Sequence, residues 1–134
     1  VMDTLALGKA GEDFAARHLK KLGWRILERN WRHGHLELDI IGAHKGVIIF
    51  VEVKTRAEDG LARPDEALTP VKRQRLCRAA SQYLSATGNW DRPCRFDFIS
   101  VRQAADNTFS LEHFPHAFDF SPAVAGGHAS WQPW

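Results

Sequence analysis

Apolar residues recur at helical spacing in two parts of the chain, with short strand-like runs between and after them. The first helix is predicted over residues 3–22, with Gly23 as a suitable end. A second helix is predicted to begin at Thr69-Pro70, because threonine is a good N-cap and proline suits the first helical position, and to run to about residue 84. The first helix is amphipathic, with an apolar face formed by Leu7, Phe14, Ala15, Leu19 and Leu22.

Gly8 and Gly11 lie inside the first predicted helix, where each costs roughly 1 kcal/mol relative to alanine. A close approach by another backbone or a ligand would explain them. A frayed first helical turn would explain them as well, and the sequence alone leaves both interpretations open.

The strand-like segments predict a central β-sheet. The run Val47-Ile48-Ile49-Phe50-Val51 is apolar on both faces, which is typical of a central strand covered on both sides. We therefore predict an α/β fold, with a mixed sheet of about five strands flanked by α-helices, in αβββαβ order plus a final strand. The strands are expected over residues 24–31, 36–42, 47–54, 95–101 and 109–113, with a polar loop over 57–68.

Composition is that of one globular domain, expected over residues 1–120, followed by an irregular tail over 121–134. Of the 134 residues 44% are hydrophobic and 25% charged, and the absence of a long uncharged apolar run argues against a membrane span. No signal peptide is visible, and Cys77 and Cys94 form no Cys-x-x-Cys pair. We expect a reducing, cytoplasmic setting.

Net charge is a modest +2, but residues 1–80 carry 15 Lys/Arg against 11 Asp/Glu. Basic clusters of this kind either contact phosphate groups or form a solvated helix face, and charge alone does not separate these alternatives. The candidate nucleic-acid contacts are Arg29, Arg32, Arg56, Lys72 and Arg73.

Charged residues within the predicted hairpin are the strongest indication of chemistry. If the turn lies at Ala43-His44-Lys45-Gly46, Asp39 is opposite Phe50 and diagonal to Glu52, and Glu37 is directly opposite Glu52. Asp39, Glu52 and Lys54 then share one face. A register shift of one residue would separate Asp39 from Glu52 across the sheet.

Two converging carboxylates suit a hard divalent cation, Mg²⁺ or Mn²⁺, with the backbone carbonyl of Val53 as a further ligand. Lys54 could then position or deprotonate an attacking water and offset charge on a phosphate. The alternative is that Asp39 and Glu52 are salt-bridge partners of Lys54 and neighbouring arginines.

Several motifs together resemble the YraN-like uncharacterised bacterial family over roughly residues 5–120. Leu36 stands where that family usually has glycine, and Leu38 where the wider superfamily has proline. The segments that carry the resemblance are Gly8-Lys9-Ala10-Gly11-Glu12, Gly23-Trp24-Arg25-Ile26-Leu27-Glu28-Arg29-Asn30-Trp31-Arg32, Glu37-Leu38-Asp39-Ile40-Ile41, Phe50-Val51-Glu52-Val53-Lys54-Thr55-Arg56, Thr69-Pro70-Val71-Lys72, Arg95-Phe96-Asp97 and His113-Phe114-Pro115-His116-Ala117-Phe118.

The resemblance implies a restriction-endonuclease-like core of the PD-(D/E)xK superfamily, similar to archaeal Holliday-junction resolvases. It makes Asp39 and Glu52 metal ligands, Lys54 the catalytic lysine and Glu12 a first-helix acid that reaches the metal. Lys72 would contact a phosphate of the nucleic-acid backbone. Glu37 is a further candidate ligand from the predicted register.

Our leading hypothesis is a Mg²⁺- or Mn²⁺-dependent endonuclease acting on structured or branched DNA. The alternative is a nucleic-acid-binding or assembly module that keeps the nuclease-like fold without useful catalysis. A third interpretation is a structural protein in which Glu52 and Lys54 satisfy each other. Nucleic acid is the expected partner, a membrane is not, and a homodimer stays open.

Overall fold

The computed structural model describes residues 3–57 and 63–120, which form a five-stranded mixed sheet with helices on both faces. The strands lie in the order β1-β2-β3-β4-β5, and all neighbours are antiparallel except β3 and β4, which are parallel. The predicted α/β class, strand number and element order are confirmed. The elements are α1 (Thr4–Lys21), β1 (Arg25–His33), β2 (Leu36–His44), β3 (Val47–Ala57), α2 (Pro64–Ala67), α3 (Pro70–Thr87), β4 (Cys94–Gln103) and β5 (Phe109–Phe118).

Helix α1 covers one face of the sheet. Asp3 caps its first turn by accepting a hydrogen bond from the Ala6 N–H at 2.7 Å. After the helix, Gly23 adopts a φ of 93°, which glycine tolerates without a steric penalty. The core on this face contains Ala15, Ala16, Leu19, Trp24, Ile40, Ile49, Val51, Ile99 and Val101.

The two helical glycines of α1 differ in their surroundings. A Cβ at Gly11 would collide with the side chain of Thr55 on β3, so glycine allows the helix to approach the sheet closely there. A Cβ at Gly8 would meet nothing within 4 Å. Close approach thus accounts for Gly11 and does not account for Gly8.

Helix α3 covers the opposite face and connects the parallel strands β3 and β4. Thr69 caps it as predicted, its Oγ1 accepting a hydrogen bond from the Lys72 N–H at 3.2 Å, and Gly88 ends it with a φ of 69°. Alternate residues of β3 enter the two cores, which is the expected pattern for a central strand. The core on the α3 face includes Leu38, Ile41, Ile48, Phe50, Leu76, Ala80, Tyr83, Leu84, Phe96 and Phe98.

Several element boundaries differ from the predicted ones. The short helix α2 lies within the predicted polar loop, and β5 continues through Pro115 to Phe118 rather than ending at His113. In β5, His116 takes a positive φ of 53°. The tail predicted over 121–134 lies outside the described residues. Neither long helix described by the structure has an apolar stretch able to cross a membrane.

Candidate metal centre at the β2–β3 hairpin

The hairpin between β2 and β3 turns at Lys45-Gly46, where φ is 52° and 82° respectively. These values fit a two-residue type I′ turn, in which both central residues need positive φ and glycine is favoured. His44 and Val47 form the last pair before the turn. The turn therefore lies one residue further along the chain than predicted, which shifts the register by two residues.

The predicted cross-strand pairs are consequently wrong. Phe50 pairs with Ile41 rather than with Asp39, and the register that placed Glu37 opposite Glu52 does not hold. A shift of two residues keeps each side chain on its side of the sheet, because side chains alternate with a period of two. Asp39 and Glu52 therefore still approach each other.

Regular pairing of β2 with β3 ends at Ile40 and Val51, and Asp39 and Glu52 are the next residues on the two strands. Asp39 Oδ2 accepts a hydrogen bond from the Val53 N–H at 2.9 Å. A side-chain carboxylate thus satisfies a backbone donor at the point where the ladder ends. This bond fixes the Asp39 carboxyl group beside that of Glu52.

The carboxyl groups of Asp39 and Glu52 are close enough to influence each other's ionisation. Burial raises the pKa of Asp39, although the Val53 hydrogen bond opposes this effect. Burial and the neighbouring charge of Asp39 raise the pKa of Glu52 to about 8. Two adjacent acids with little solvation do not both ionise readily, so at neutral pH the pair keeps one proton and one negative charge.

Lys72, in the first turn of α3, balances that charge. Its Nζ lies 2.9 Å from Oε2 of Glu52, and the two side chains are 40% and 15% exposed. Burial lowers the pKa of Lys72, but the carboxyl groups of Glu52 and Asp39 more than offset this effect and raise it overall. The residue predicted to contact phosphate is thus in contact with a predicted metal ligand.

Lys54, the predicted catalytic lysine, is exposed on β3 two residues beyond Glu52. The alternation of side chains along a strand places it on the same side as Glu52. The ammonium in contact with Glu52, however, is that of Lys72. Val53, predicted to offer its carbonyl to a metal, holds Asp39 through its N–H.

Glu12 reaches the neighbourhood of Asp39 from α1, with a side chain only 12% exposed. Arg29 Nη2 lies 3.1 Å from Glu12 Oε1 and 2.8 Å from Asp13 Oδ1. Burial and the charge of Asp39 raise the pKa of Glu12, while Arg29 opposes the increase. Glu12 is therefore a largely buried acid within electrostatic range of Asp39.

An open groove of about 410 Å³ leads to Asp39 along α1, β1 and β2. Arg32 and Glu37 stand at this groove as an exposed ion pair with a distance of 3.3 Å. The pairing draws Glu37 towards Arg32. The groove is lined by residues that include Gly8, Lys9, Glu12, Asn30, Glu37 and Asp39.

Three of the five candidate nucleic-acid contacts, Arg29, Arg32 and Lys72, form ion pairs with acidic side chains. Arg56 is half-buried at the end of β3. Arg73 is exposed and lines a second open groove of about 510 Å³ between α3 and β5.

A buried charged cluster that was not predicted from the sequence is centred on Asp97 of β4. Its fully buried carboxylate accepts hydrogen bonds from Arg95 at 2.9 and 3.1 Å and from the His116 N–H at 3.1 Å, and it lies 2.8 Å from His113 Nε2. Burial raises the pKa of Asp97, but the bonds from His113 and Arg95 outweigh this effect and lower it overall. In the sequence, the position of Asp97 between Phe96 and Phe98 was the feature that could have indicated a buried charge.

Comparison with known proteins places the chain in a family. The sequence model described as "Uncharacterised protein family UPF0102" matches residues 11–101. The chain belongs to this family. The resemblance to the YraN-like family is thereby confirmed.

UPF0102 relatives match this chain over most of its length. A "UPF0102 protein" of Nitratidesulfovibrio vulgaris (strain DP4) is 54% identical, and the match covers 96% of each chain. A "UPF0102 protein" of Oleidesulfovibrio alaskensis is 40% identical over 97% of this chain and 94% of its own. The "UPF0102 protein BF0634" of Bacteroides fragilis is 46% identical over 84% and 91%.

Proposed function

We propose that this protein is a metal-dependent endonuclease that hydrolyses phosphodiester bonds in DNA, with structured or branched DNA as the preferred substrate. The main support is geometric: Asp39 and Glu52 are the next residues on β2 and β3 beyond the last regular pair, Ile40 and Val51, so that two acidic side chains lie where the strands separate. Burying two acids side by side is costly, and a bound cation would offset the cost.

The donor set fits Mg²⁺ or Mn²⁺ with two protein carboxylates. No group of three or more His, Cys, Asp or Glu in residues 3–57 and 63–120 is arranged to hold a metal ion. Mg²⁺ is commonly bound by one or two carboxylates, with water and substrate phosphate completing the shell. Asp39 and Glu52 would supply the carboxylates here.

A bound cation of this kind polarises a phosphoryl oxygen and lowers the pKa of a coordinated water. Residues of this protein hold the acidic side chains in place and balance their charge. The Val53 N–H holds Asp39, and Arg29 holds Glu12 in electrostatic range of it. Lys54, exposed on the same strand as Glu52, is available to a phosphate entering from solvent.

Cleavage of a DNA panel tests the proposal. The purified full chain is incubated in Mg²⁺, in Mn²⁺ and in EDTA with labelled linear, nicked, flapped and four-way DNA. We expect metal-dependent cleavage that falls by at least about a hundredfold in Asp39→Asn, in Glu52→Gln and in Lys54→Met. Glu112→Gln, an exposed charge change on β5, is the matched control and should cleave like the wild type.

Two results would reject the proposal. Cleavage that persists in all three variants would point to a contaminating nuclease. Salt-sensitive DNA binding without cleavage in either metal would favour the binding-module alternative.

A further inference from the structure

Lys72 places an ammonium group 2.9 Å from Oε2 of Glu52, on the carboxyl pair itself. We infer that Lys72 is an internal counter-ion that competes with a divalent cation for Glu52, so that metal binding displaces its ammonium. The inference rests on the proposed function, because it takes Asp39 and Glu52 as the metal-binding residues.

The contact has the length of a charge-assisted hydrogen bond between an ammonium and a carboxylate. A metal ion bound by the same carboxylate would stand close to the ammonium, and like charges at such a distance repel strongly where solvation is poor. Lys72 and the cation therefore exclude each other. Each of them balances the negative charge of the Asp39–Glu52 pair when the other is absent.

The position of Lys72 supports a specific pairing with Glu52. A positive side chain in the first turn of a helix is unfavourable against the helix dipole, so the helix itself gives no reason for a lysine there. The carboxyl groups of Glu52 and Asp39 provide that reason. Lysine is also a flexible point charge, which suits a cation that must leave.

Displacement is sterically feasible because the Lys72 side chain is 40% exposed and has solvent to move into. Arg29 illustrates the opposite arrangement, since its guanidinium is held by Glu12 and Asp13 together. A lysine held by one carboxylate at the mouth of the site can exchange. An arginine held by two is fixed.

Calorimetric titration of the metal-free full chain with Mn²⁺ tests the inference without any measurement of activity. We expect Lys72→Met to bind Mn²⁺ about tenfold more tightly than the wild type, which corresponds to ~1.4 kcal/mol. Arg75→Met removes one positive charge from an exposed position on the same helix and should bind within about twofold of the wild type.

A double variant shows whether the gain acts through Glu52. Adding Lys72→Met to Glu52→Gln should give no further increase in Mn²⁺ affinity, because the shared carboxylate is gone. Circular dichroism melting confirms that each variant is folded, and Lys72→Gln replaces Lys72→Met if the latter is not.

The outcomes separate this inference from the proposed function. Unchanged or weaker Mn²⁺ binding by the Lys72 variants overturns the counter-ion role, and the nuclease proposal stands if the wild type binds Mn²⁺ and cleaves DNA. Absence of Mn²⁺ binding by the wild type and by every variant overturns both.

Discussion

Replacing Glu52 with glutamine should stabilise the protein in alkaline solution. The pKa of Glu52 rises from 4.5 to about 8 on folding, and each pKa unit corresponds to ~1.36 kcal/mol. Ionising Glu52 in the folded protein therefore costs up to about 5 kcal/mol more than in the unfolded chain. Because the ionisation of Glu52 depends on that of Asp39, we expect about 2–4 kcal/mol of this cost to be observed.

The direction in which stability changes with pH follows from proton binding. Between pH 4.5 and about 8 the folded protein holds a proton that the unfolded chain releases, so the free energy of unfolding falls as the pH rises through this window. Glutamine stays neutral and has no such loss. Glu52→Gln should match the wild type near pH 4.5 and exceed its stability at pH 9.

Urea unfolding at pH 4.5, 7 and 9, followed by tryptophan fluorescence, measures the effect. Glu37→Gln is the matched control, since it removes the same charge from a side chain on β2 that is 54% exposed. At pH 8, Mg²⁺ should stabilise the wild type and leave Glu52→Gln unchanged. A difference between wild type and Glu52→Gln that is constant from pH 4.5 to 9 would show that folding does not raise the pKa of Glu52.

Two further predictions concern packing and the buried charge cluster. Gly11→Ala should lower the free energy of unfolding by about 1–3 kcal/mol, because the new Cβ would collide with Thr55. Gly8→Ala should raise it by up to about 1 kcal/mol, and equal effects of the two substitutions in urea unfolding would contradict this packing. Asp97→Asn should cost about 3 kcal/mol at pH 7, because it leaves Arg95 without a charged partner. Since folding lowers the Asp97 pKa, this loss should shrink as the pH falls below about 3.8, and a loss unchanged between pH 5 and 2 would contradict that account.

Periodicity and local signals were sufficient to predict most of the fold. Thr69-Pro70 marked the start of α3, and the doubly apolar run 47–51 marked β3 as a central strand. The register of β2 against β3 was harder to predict, because displacing the turn by one residue changes every cross-strand pair. Gly46 was the available signal for a turn at 45–46, since glycine suits the second position of a type I′ turn.

The partners of the candidate site were less predictable than its two acids. Lys72 is twenty residues from Glu52 in sequence, and only the packing of α3 on the sheet brings them together. Glu12 and Arg29 meet through the packing of α1 against β1 for the same reason. Contacts between distant segments depend on tertiary structure, which local sequence patterns do not encode.

The most direct test is anomalous diffraction from crystals of the full chain soaked in Mn²⁺. We expect one strong peak between the carboxyl groups of Asp39 and Glu52, with metal–oxygen distances of about 2.1 Å and the Lys72 ammonium moved away from Glu52. Crystals saturated with Mn²⁺ that show no peak at this pair, with Lys72 still bound to Glu52, would contradict it.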